Sequence, residues 1–277
     1  MPLPPVRLRR DRCPGVLRPW PADDGALIRL RLAGGHLPAG SLEILAQVAH
    51  DHGDGQVHLT RRANLQLRAL PFVDGRLPDE VVDAVVRTGL LPSRSHELAR
   101  NLMCSPLTGI SGGRADLRPV VRELDERLCA SPGLAALPGR FLFVLDDGRG
   151  DLVDREGDLG AVVLDADTAQ LRVGAGWGAV VPLPDVAEEL VQLAHRFLLE
   201  RGHDETAAWH VAELESPLAP PAPGDARVPA ASSIPSYDGV LHVPVPDGVL
   251  TPDLVGELIA PGRDLVVTPW HGLVVAP

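Results

Sequence analysis

Polar and apolar residues alternate along residues 60–68 with a period of two, which is the spacing of a β-strand. In such a strand Ala63, Leu65 and Leu67 would share one face. The opposite, polar face would carry Thr60, Arg62, Asn64, Gln66 and Arg68. Guanidinium and carboxamide groups are costly to bury unless hydrogen-bonding partners fill the space before them. The pattern therefore indicates either a face that binds an anion or the solvated face of an antiparallel sheet.

An internal repeat organises the two ends of the chain. The segments that begin at Gly25 and Gly239 each predict a strand, a glycine-containing turn and a short helix. The predicted helices and their N-caps are residues 41–50 with Ser41 and residues 252–259 with Thr251. Each copy then ends on a second predicted strand, at residues 59–67 or 267–275, in which Thr60 lines up with Thr268.

The repeat also predicts how the chain divides. A unit of this size cannot bury its apolar face alone, so we expect the two copies to pack together into one domain. The sequence between them would form an inserted domain of mixed helices and strands, followed by a linker rich in Pro and Ala. The predicted boundaries are 10–92 for the first half, 93–215 for the inserted domain, 216–236 for the linker and 237–277 for the second half.

Charge and hydropathy narrow the class of protein. The net charge of −11 argues against general affinity for nucleic acids. The chain contains no lysine, so every fixed positive charge is an arginine, a residue well suited to reading carboxylates. No apolar run approaches the length of a membrane span, and the N-terminus lacks the apolar core of a signal peptide. We therefore expect a cytoplasmic protein without nucleic-acid or membrane partners.

The three cysteines, Cys13, Cys104 and Cys129, are far apart in the sequence. None belongs to a Cys-x-x-Cys pair, so the spacing predicts neither a disulfide framework nor a zinc motif. They also fall short of the set of thiolates that usually holds an iron–sulfur cluster. We expect no metal site and no 4Fe–4S cluster from this chain's own cysteines.

Five short motifs carry a family resemblance, in a fixed order along the chain. They lie at residues 12–19, 60–68, 100–104, 137–141 and 268–270. Together they resemble the sirohaem-dependent nitrite and sulfite reductases, and more closely the precorrin-3B synthase branch of that family. The resemblance covers the chain from about residue 10 to its end.

The resemblance implies a fold and a ligand. The fold is α+β, with two ferredoxin-like half-domains that pair into one domain and an inserted reductase-type domain. The ligand is sirohaem or a related acidic tetrapyrrole, bound between the two domains, and its carboxylates suit a group of arginines. By resemblance, the residues that contact this ligand or line its site are Arg29, Arg31, Arg62, Asn64, Gln66, Arg68, Arg100 and Arg140. The spacing of Arg29 and Arg31 independently places them on one face of a strand.

One departure from the family limits what can be assigned. The family has a further domain whose cysteines bind a 4Fe–4S cluster, and the cysteines of this chain do not match them. Catalytic residues therefore stay unassigned, and the resemblance implies an oxidoreductase-family protein similar to precorrin-3B synthase of cobalamin biosynthesis. Two alternatives remain open. One is a non-catalytic tetrapyrrole-binding module, and the other is half of a split nitrite or sulfite reductase, completed by a separate chain with the iron–sulfur domain.

Overall fold

Short strands alternate with α-helices of eight to fifteen residues in this computed structural model, which describes residues 11–232 and 235–276. Within that part of the chain the strands are β1 (Trp20–Ala22), β2 (Gly25–Leu30), β3 (His36–Leu37), β4 (Val57–Leu59), β5 (Leu65–Leu70), β6 (Leu102–Cys104), β7 (Phe143–Asp146), β8 (Leu159–Val163), β9 (Thr168–Val173), β10 (Gly176–Pro182), β11 (His242–Pro244), β12 (Val249–Leu250), β13 (Leu265–Thr268) and β14 (Gly272–Val275). The α-helices are α1 (Ala39–His52), α2 (Asp79–Arg87), α3 (Arg118–Ala130), α4 (Val186–Glu200) and α5 (Pro252–Ile259).

The chain divides into two compact units. One consists of residues 13–97 together with 236–276 and is called the paired unit, because it contains both copies of the repeat. The other consists of residues 98–232 together with 11, 12 and 235, and is called the central unit.

Two sheets form the paired unit, and each contains one strand from the other copy of the repeat. The first sheet has the strand order β1-β2-β5-β4-β12, and the second has the order β11-β14-β13-β3. Strand β12 of the second copy pairs with β4, while β3 of the first copy pairs with β13. This reciprocal exchange joins the two copies through backbone hydrogen bonds, as the repeat predicts.

A single apolar core fills the paired unit. Leu65 and Leu67 of β5 are fully buried, and Val267 and Leu273 of the second copy belong to the same cluster. The helices α1, α2 and α5 contribute buried leucines and valines from one face each. Burial of apolar surface from both copies is the main term that holds them together.

The predicted strand over residues 60–68 is wrong in its first half. Residues 60–64 form a turn between β4 and β5, in which the Thr60 amide donates to the Asn64 carbonyl at 2.9 Å and the Ala63 amide donates to Thr60 at 3.0 Å. Ala63 adopts a φ of +54°, which lies in the left-handed region and outside the β region of regular strands. The alternating pattern therefore runs through the arms of a hairpin and its turn. Arg62 and Asn64 belong to that turn, and Gln66 and Arg68 to β5.

The second copy repeats this hairpin, so the single strand predicted over residues 267–275 is also wrong. Strand β13 ends at Thr268 and β14 begins at Gly272. His271 has a φ of +55°, nearly the value of Ala63 at the equivalent place in the first copy. The alignment of Thr60 with Thr268 thus matches two turns of the same geometry.

The helix starts of the two copies differ from each other. Thr251 is the N-cap of α5, as predicted, and its hydroxyl accepts a hydrogen bond from the Leu254 amide at 3.4 Å. Ser41 is not an N-cap, because α1 begins two residues earlier, after Pro38. The buried Ser41 hydroxyl instead donates to the Thr88 carbonyl at 2.7 Å and fixes the end of α2 against α1.

The central unit is a mixed sheet with the order β10-β9-β8-β7-β6, packed against α3 and α4. Phe141, Phe143 and Phe197 form an aromatic cluster in its core, with ring centroids 4.8–5.3 Å apart. Within this unit, Gln170 binds the proline-rich segment that leads back to the paired unit: its amide nitrogen donates to the Pro223 carbonyl at 2.8 Å, and its oxygen accepts from the Asp225 amide at 2.8 Å.

Candidate functional site

The polar face of the first sheet gathers most of the predicted site residues of the paired unit. We define this polar face by Arg29, Arg31, His58, Gln66 and Arg68. It lies opposite the face on which Ile28, Leu30, Leu65 and Leu67 enter the apolar core. Successive residues of a strand point to opposite faces, so the alternation in β2, β4 and β5 produces one polar side and one apolar side.

Three polar residues form a row across this face. Arg29 of β2 is the cross-strand partner of Gln66 in β5, and Gln66 is in turn the partner of His58 in β4. Because neighbouring strands lie about 4.8 Å apart, the row extends roughly 10 Å across the sheet. The three side chains are all half-buried.

Arg29 is the residue of this row whose guanidinium has a buried donor without an acceptor among the described residues. Its Nε atom is buried, and no described residue accepts a hydrogen bond from it. Burial lowers the pKa of the Arg29 guanidinium, and the nearby Cys13 thiol opposes that shift. A buried guanidinium without an acceptor is costly, so this position favours an anionic partner from outside the paired unit's own side chains.

Arg31 lies on the same face but binds the protein itself. Its guanidinium is buried and donates to the backbone carbonyls of Pro14 at 3.3 Å and Glu97 at 2.9 Å. The Glu97 carboxylate accepts from the Val16 and Leu17 amides, the shorter bond being 2.6 Å. Arg31 therefore fastens the segments on either side of the first repeat copy to β2.

The turn between β4 and β5 holds Arg62 and Asn64. The Thr60 hydroxyl accepts from the amides of both residues, at 3.3 and 3.1 Å. The Asn64 side chain is buried, and its oxygen accepts from the Leu32 amide at 2.9 Å. Its amide nitrogen is buried without a hydrogen bond to any described residue. The Arg62 side chain is half-buried beside the polar face.

Arg68 closes the polar face towards the start of β2. It is exposed, and its guanidinium lies 3.6 Å from the Asp24 carboxylate. Ion pairs of this exposure are weak, so Asp24 leaves Arg68 able to exchange partners. Cross-strand pairing slips by one residue beside it, where Ala69 adopts a φ of +54°.

His58 is the member of the polar face that sequence reasoning missed. Its Nε2 atom lies 2.7 Å from the Asp54 carboxylate, and the His58 side chain is only 18% exposed. The alternation of Val57, His58 and Leu59 was the signal that could have found it, because it predicts a short strand with His58 on the polar side.

The remaining two predicted residues lie in the central unit. Arg100 is buried and makes a two-point ion pair with Asp125 of α3, with both nitrogen–oxygen distances at 2.6 Å. Its guanidinium therefore stabilises the packing of α3. Arg140 is exposed in the loop before β7. The neighbouring Asn101 fixes that loop by donating to the Gly139 carbonyl at 2.8 Å.

A buried acidic loop follows β7 in the central unit. The Asp146 carboxylate accepts from the Gly148, Gly150 and Leu152 amides at 2.8–3.0 Å and shapes the loop. Asp151 accepts from the Ser105 hydroxyl at 2.6 Å. Burial first, and then the neighbouring carboxylates, raise the pKa of Asp151 to about 7.

A metal or cluster site does not emerge from the part of the chain that the structure describes. No group of three or more His, Cys, Asp or Glu residues is arranged there to hold a metal ion. Cys104 is buried in β6, where burial raises the pKa of its thiol. The described cysteines therefore do not fit an iron–sulfur cluster.

Comparison with known proteins finds a family match within the first part of the paired unit. The nitrite/sulfite reductase ferredoxin-like half domain matches residues 21–74, which run from the end of β1 to the loop after β5. Precorrin-3B synthase from a Sinorhizobium species is 32% identical over 180 residues, which cover 64% of this chain and 36% of that protein. Ferredoxin–nitrite reductase of Synechococcus elongatus is 28% identical over 137 residues, which cover 47% of this chain and 26% of that protein. The matches thus span about a third or less of these relatives.

The fold has a solved counterpart. The structure of the NirA protein of Mycobacterium tuberculosis superposes with a TM-score of 0.72 at 20% identity, covering 95% of this chain and 59% of that one. At this identity the likeness establishes the fold, and it confirms the predicted α+β class. Among the described residues, no helix is long and apolar enough to cross a membrane. The chain is similar to members of the nitrite and sulfite reductase family, and residues 21–74 match the ferredoxin-like half domain of that family, in line with the resemblance of its sequence motifs.

Proposed function

We propose that the protein binds an acidic modified tetrapyrrole, such as a precorrin or sirohaem, through the polar face and the adjoining turn. In this proposal it is an oxidoreductase-family protein similar to precorrin-3B synthase. The similarity to that synthase supports the class of ligand, and the geometry of the polar face supports the place where it binds.

The observation that carries the proposal is the guanidinium of Arg29. It is half-buried on strand β2 of the first sheet, next to Gln66 of β5. Its Nε donor has no acceptor among the described residues. Charge-assisted hydrogen bonds to a carboxylate would offset the desolvation of this group. Arg68 brings a further guanidinium to the same face, and Arg62 lies in the turn that adjoins β5.

A bound tetrapyrrole would supply the redox chemistry, through its metal or its conjugated ring. The residues of this chain would hold and orient it: Arg29 and Arg62 by binding carboxylates, and Gln66 by donating from its amide. Arg31 and Asn64 would hold the surrounding backbone in place, because the side chains of both already form hydrogen bonds with it. We derive no step through an iron–sulfur cluster, since the described cysteines do not fit one.

A binding titration tests the proposal with uroporphyrin, a soluble porphyrin rich in carboxylates. We expect binding by the unmodified protein, and Arg62→Ala should weaken it by about 10- to 100-fold, which corresponds to one charge-assisted contact of about 1.5–3 kcal/mol. Arg87→Ala is the matched control, because Arg87 is exposed on α2, which packs against α1 and contributes valines to the apolar core rather than to the polar face. Equal affinities for the unmodified protein and Arg62→Ala would contradict the assigned site.

A further inference from the structure

His58 and Asp54 form a pair at one end of the polar row. Asp54 is held in place from two sides: its backbone amide donates to the Arg68 carbonyl at 3.2 Å, and its Oδ1 accepts from the Gln56 amide at 3.0 Å. Its other carboxylate oxygen lies 2.7 Å from His58 Nε2. The imidazole is therefore fixed in orientation on β4, with its ring next to the Gln66 side chain across the strand pair.

The bond to Asp54 decides which ring nitrogen is left for a ligand. A carboxylate only accepts, so Nε2 carries the hydrogen that it donates to Asp54. In the neutral ring Nδ1 is then an acceptor, which suits no anion. In the protonated ring Nδ1 also carries a hydrogen and can donate to a carboxylate of a ligand.

We propose that His58 is a third anion contact of the polar face, and that a ligand carboxylate binds its protonated ring through Nδ1–H. The inference rests on the proposed function and extends it. Binding would then take up a proton from solvent onto His58 when the ring is neutral in the free protein. The charged groups around the ring are Asp54 in the loop before β4, Arg68 on the adjoining strand β5, and Arg29 one strand further away on β2. On its other side, β4 pairs with β12, which places the uncharged Val249 opposite His58.

The length of the row also narrows the class of ligand. Arg29, Gln66 and His58 lie on three adjacent strands, so their polar atoms are spread over roughly 10 Å. A small oxyanion is too short to span the roughly 10 Å between the two outer strands of the row. A ligand with several carboxylates around a rigid ring can occupy all three contacts at once, so the row selects an extended polycarboxylate.

Calorimetry with uroporphyrin tests this inference. Titrations at pH 7 in buffers with different heats of ionisation count the protons that binding takes up. For the unmodified protein we expect proton uptake, and His58→Gln should abolish that uptake and weaken binding about tenfold, as expected for one lost contact to a charged group. Asp54→Asn keeps the ring but removes its anionic partner, so the protonated ring costs more and binding should also weaken.

His36→Gln is the matched control. His36 likewise pairs with a carboxylate, with Nε2 2.9 Å from Asp264, but it lies on β3 in the other sheet. The His36→Gln variant should bind uroporphyrin with unchanged affinity and unchanged proton uptake. If His58→Gln, folded as judged by circular dichroism, binds with unchanged affinity and proton uptake while Arg62→Ala is weakened, this inference is wrong and the proposed function stands. If the unmodified protein does not bind uroporphyrin, both are wrong.

Discussion

Arg29 shows how a binding residue can act against stability. Its guanidinium is partly desolvated without an acceptor for Nε, and burial lowers its pKa, so the folded protein disfavours the charge that the side chain carries. Other arginines of the chain avoid this cost. Arg31 donates to two backbone carbonyls, and Arg100 pairs with Asp125. An arginine that stays partly buried without an acceptor for its guanidinium is a candidate for contact with a ligand.

Replacing Arg29 should therefore separate stability from binding. Arg29→Met keeps the apolar stem and removes the charge, so we expect the free energy of unfolding to rise by about 1–2 kcal/mol. The same variant should bind uroporphyrin at least about tenfold more weakly. Chemical denaturation measures the first effect, and fluorescence titration the second. Loss of stability in Arg29→Met would show that the guanidinium is satisfied in the folded protein.

Two predicted site residues that look alike in sequence should behave differently on mutation. Asn64→Ala leaves the Leu32 amide without its acceptor in a buried place, so it should destabilise the protein by about 1–3 kcal/mol. Gln66→Ala removes a half-buried amide from the middle of the row, and its effect on stability should stay below about 0.5 kcal/mol. Denaturation curves of the two variants compare them directly. Equal destabilisation would contradict the distinct role given to Asn64.

At the scale of elements, the two copies of the repeat meet at tight backbone contacts. Gly35 has a φ of +79°, and a Cβ at this position would clash with the Val267 carbonyl oxygen of β13. Gly55 has the same φ of +79°, but nothing lies within 4 Å of the place its Cβ would take. The two glycines therefore share a backbone conformation and differ in their surroundings.

This difference makes a matched pair of variants. Gly55→Ala should cost only the backbone strain of positive φ, about 1 kcal/mol. Gly35→Ala adds the clash with β13, so we expect a loss of more than about 2 kcal/mol in the free energy of unfolding. Thermal and chemical denaturation of both proteins measure the contrast. Similar losses in the two variants would mean that β3 and β13 can move apart without cost.

How far the sequence predicted these elements depends on how local their causes are. The helix at Pro252–Ile259 was predicted with its bounds and its Thr251 cap, because a cap and its amide lie three residues apart. The hairpin at residues 60–64 was missed, since its turn residues continue the polar–apolar alternation of the arms. The left-handed conformation of Ala63 has no sequence signal of the kind that glycine provides.

The candidate site was predictable in part for the same reason. The side of β5 that carries Gln66 and Arg68 follows from alternation alone. The partners of Arg31 and Arg100 could not be predicted from the sequence. Glu97 and Asp125 are distant along the chain, and only the folded structure brings them next to these arginines. His58 joins the polar face through the cross-strand register, which the turn sets.

At the scale of the whole molecule, stability should depend on pH through a buried carboxyl group of the central unit. In the central unit, the pKa of Asp151 is about 7, raised chiefly by burial from an ordinary value of 3.8. Between these values the folded protein holds a proton that the unfolded chain has released. The free energy of unfolding should therefore fall as pH rises from about 4 to 7 and level off above that range.

Asp151→Asn tests this behaviour, because the amide cannot ionise. The variant should lose much of the decrease in stability of the central unit between pH 5 and pH 8, measured by chemical denaturation. Asp154→Asn, at an exposed position in the same loop, serves as the control and should keep the dependence. An identical pH profile for Asp151→Asn and the unmodified protein would contradict the raised pKa.

The most direct test of the central claim is to locate a bound polycarboxylate on the protein. Amide chemical shifts recorded by nuclear magnetic resonance during titration with uroporphyrin would map its contacts residue by residue. We predict that the largest changes fall on β2, β4, β5 and the turn at residues 60–64, with the second sheet of the paired unit little affected. Changes confined to other surfaces, or none at saturating uroporphyrin, would contradict the claim that the polar face is the binding site.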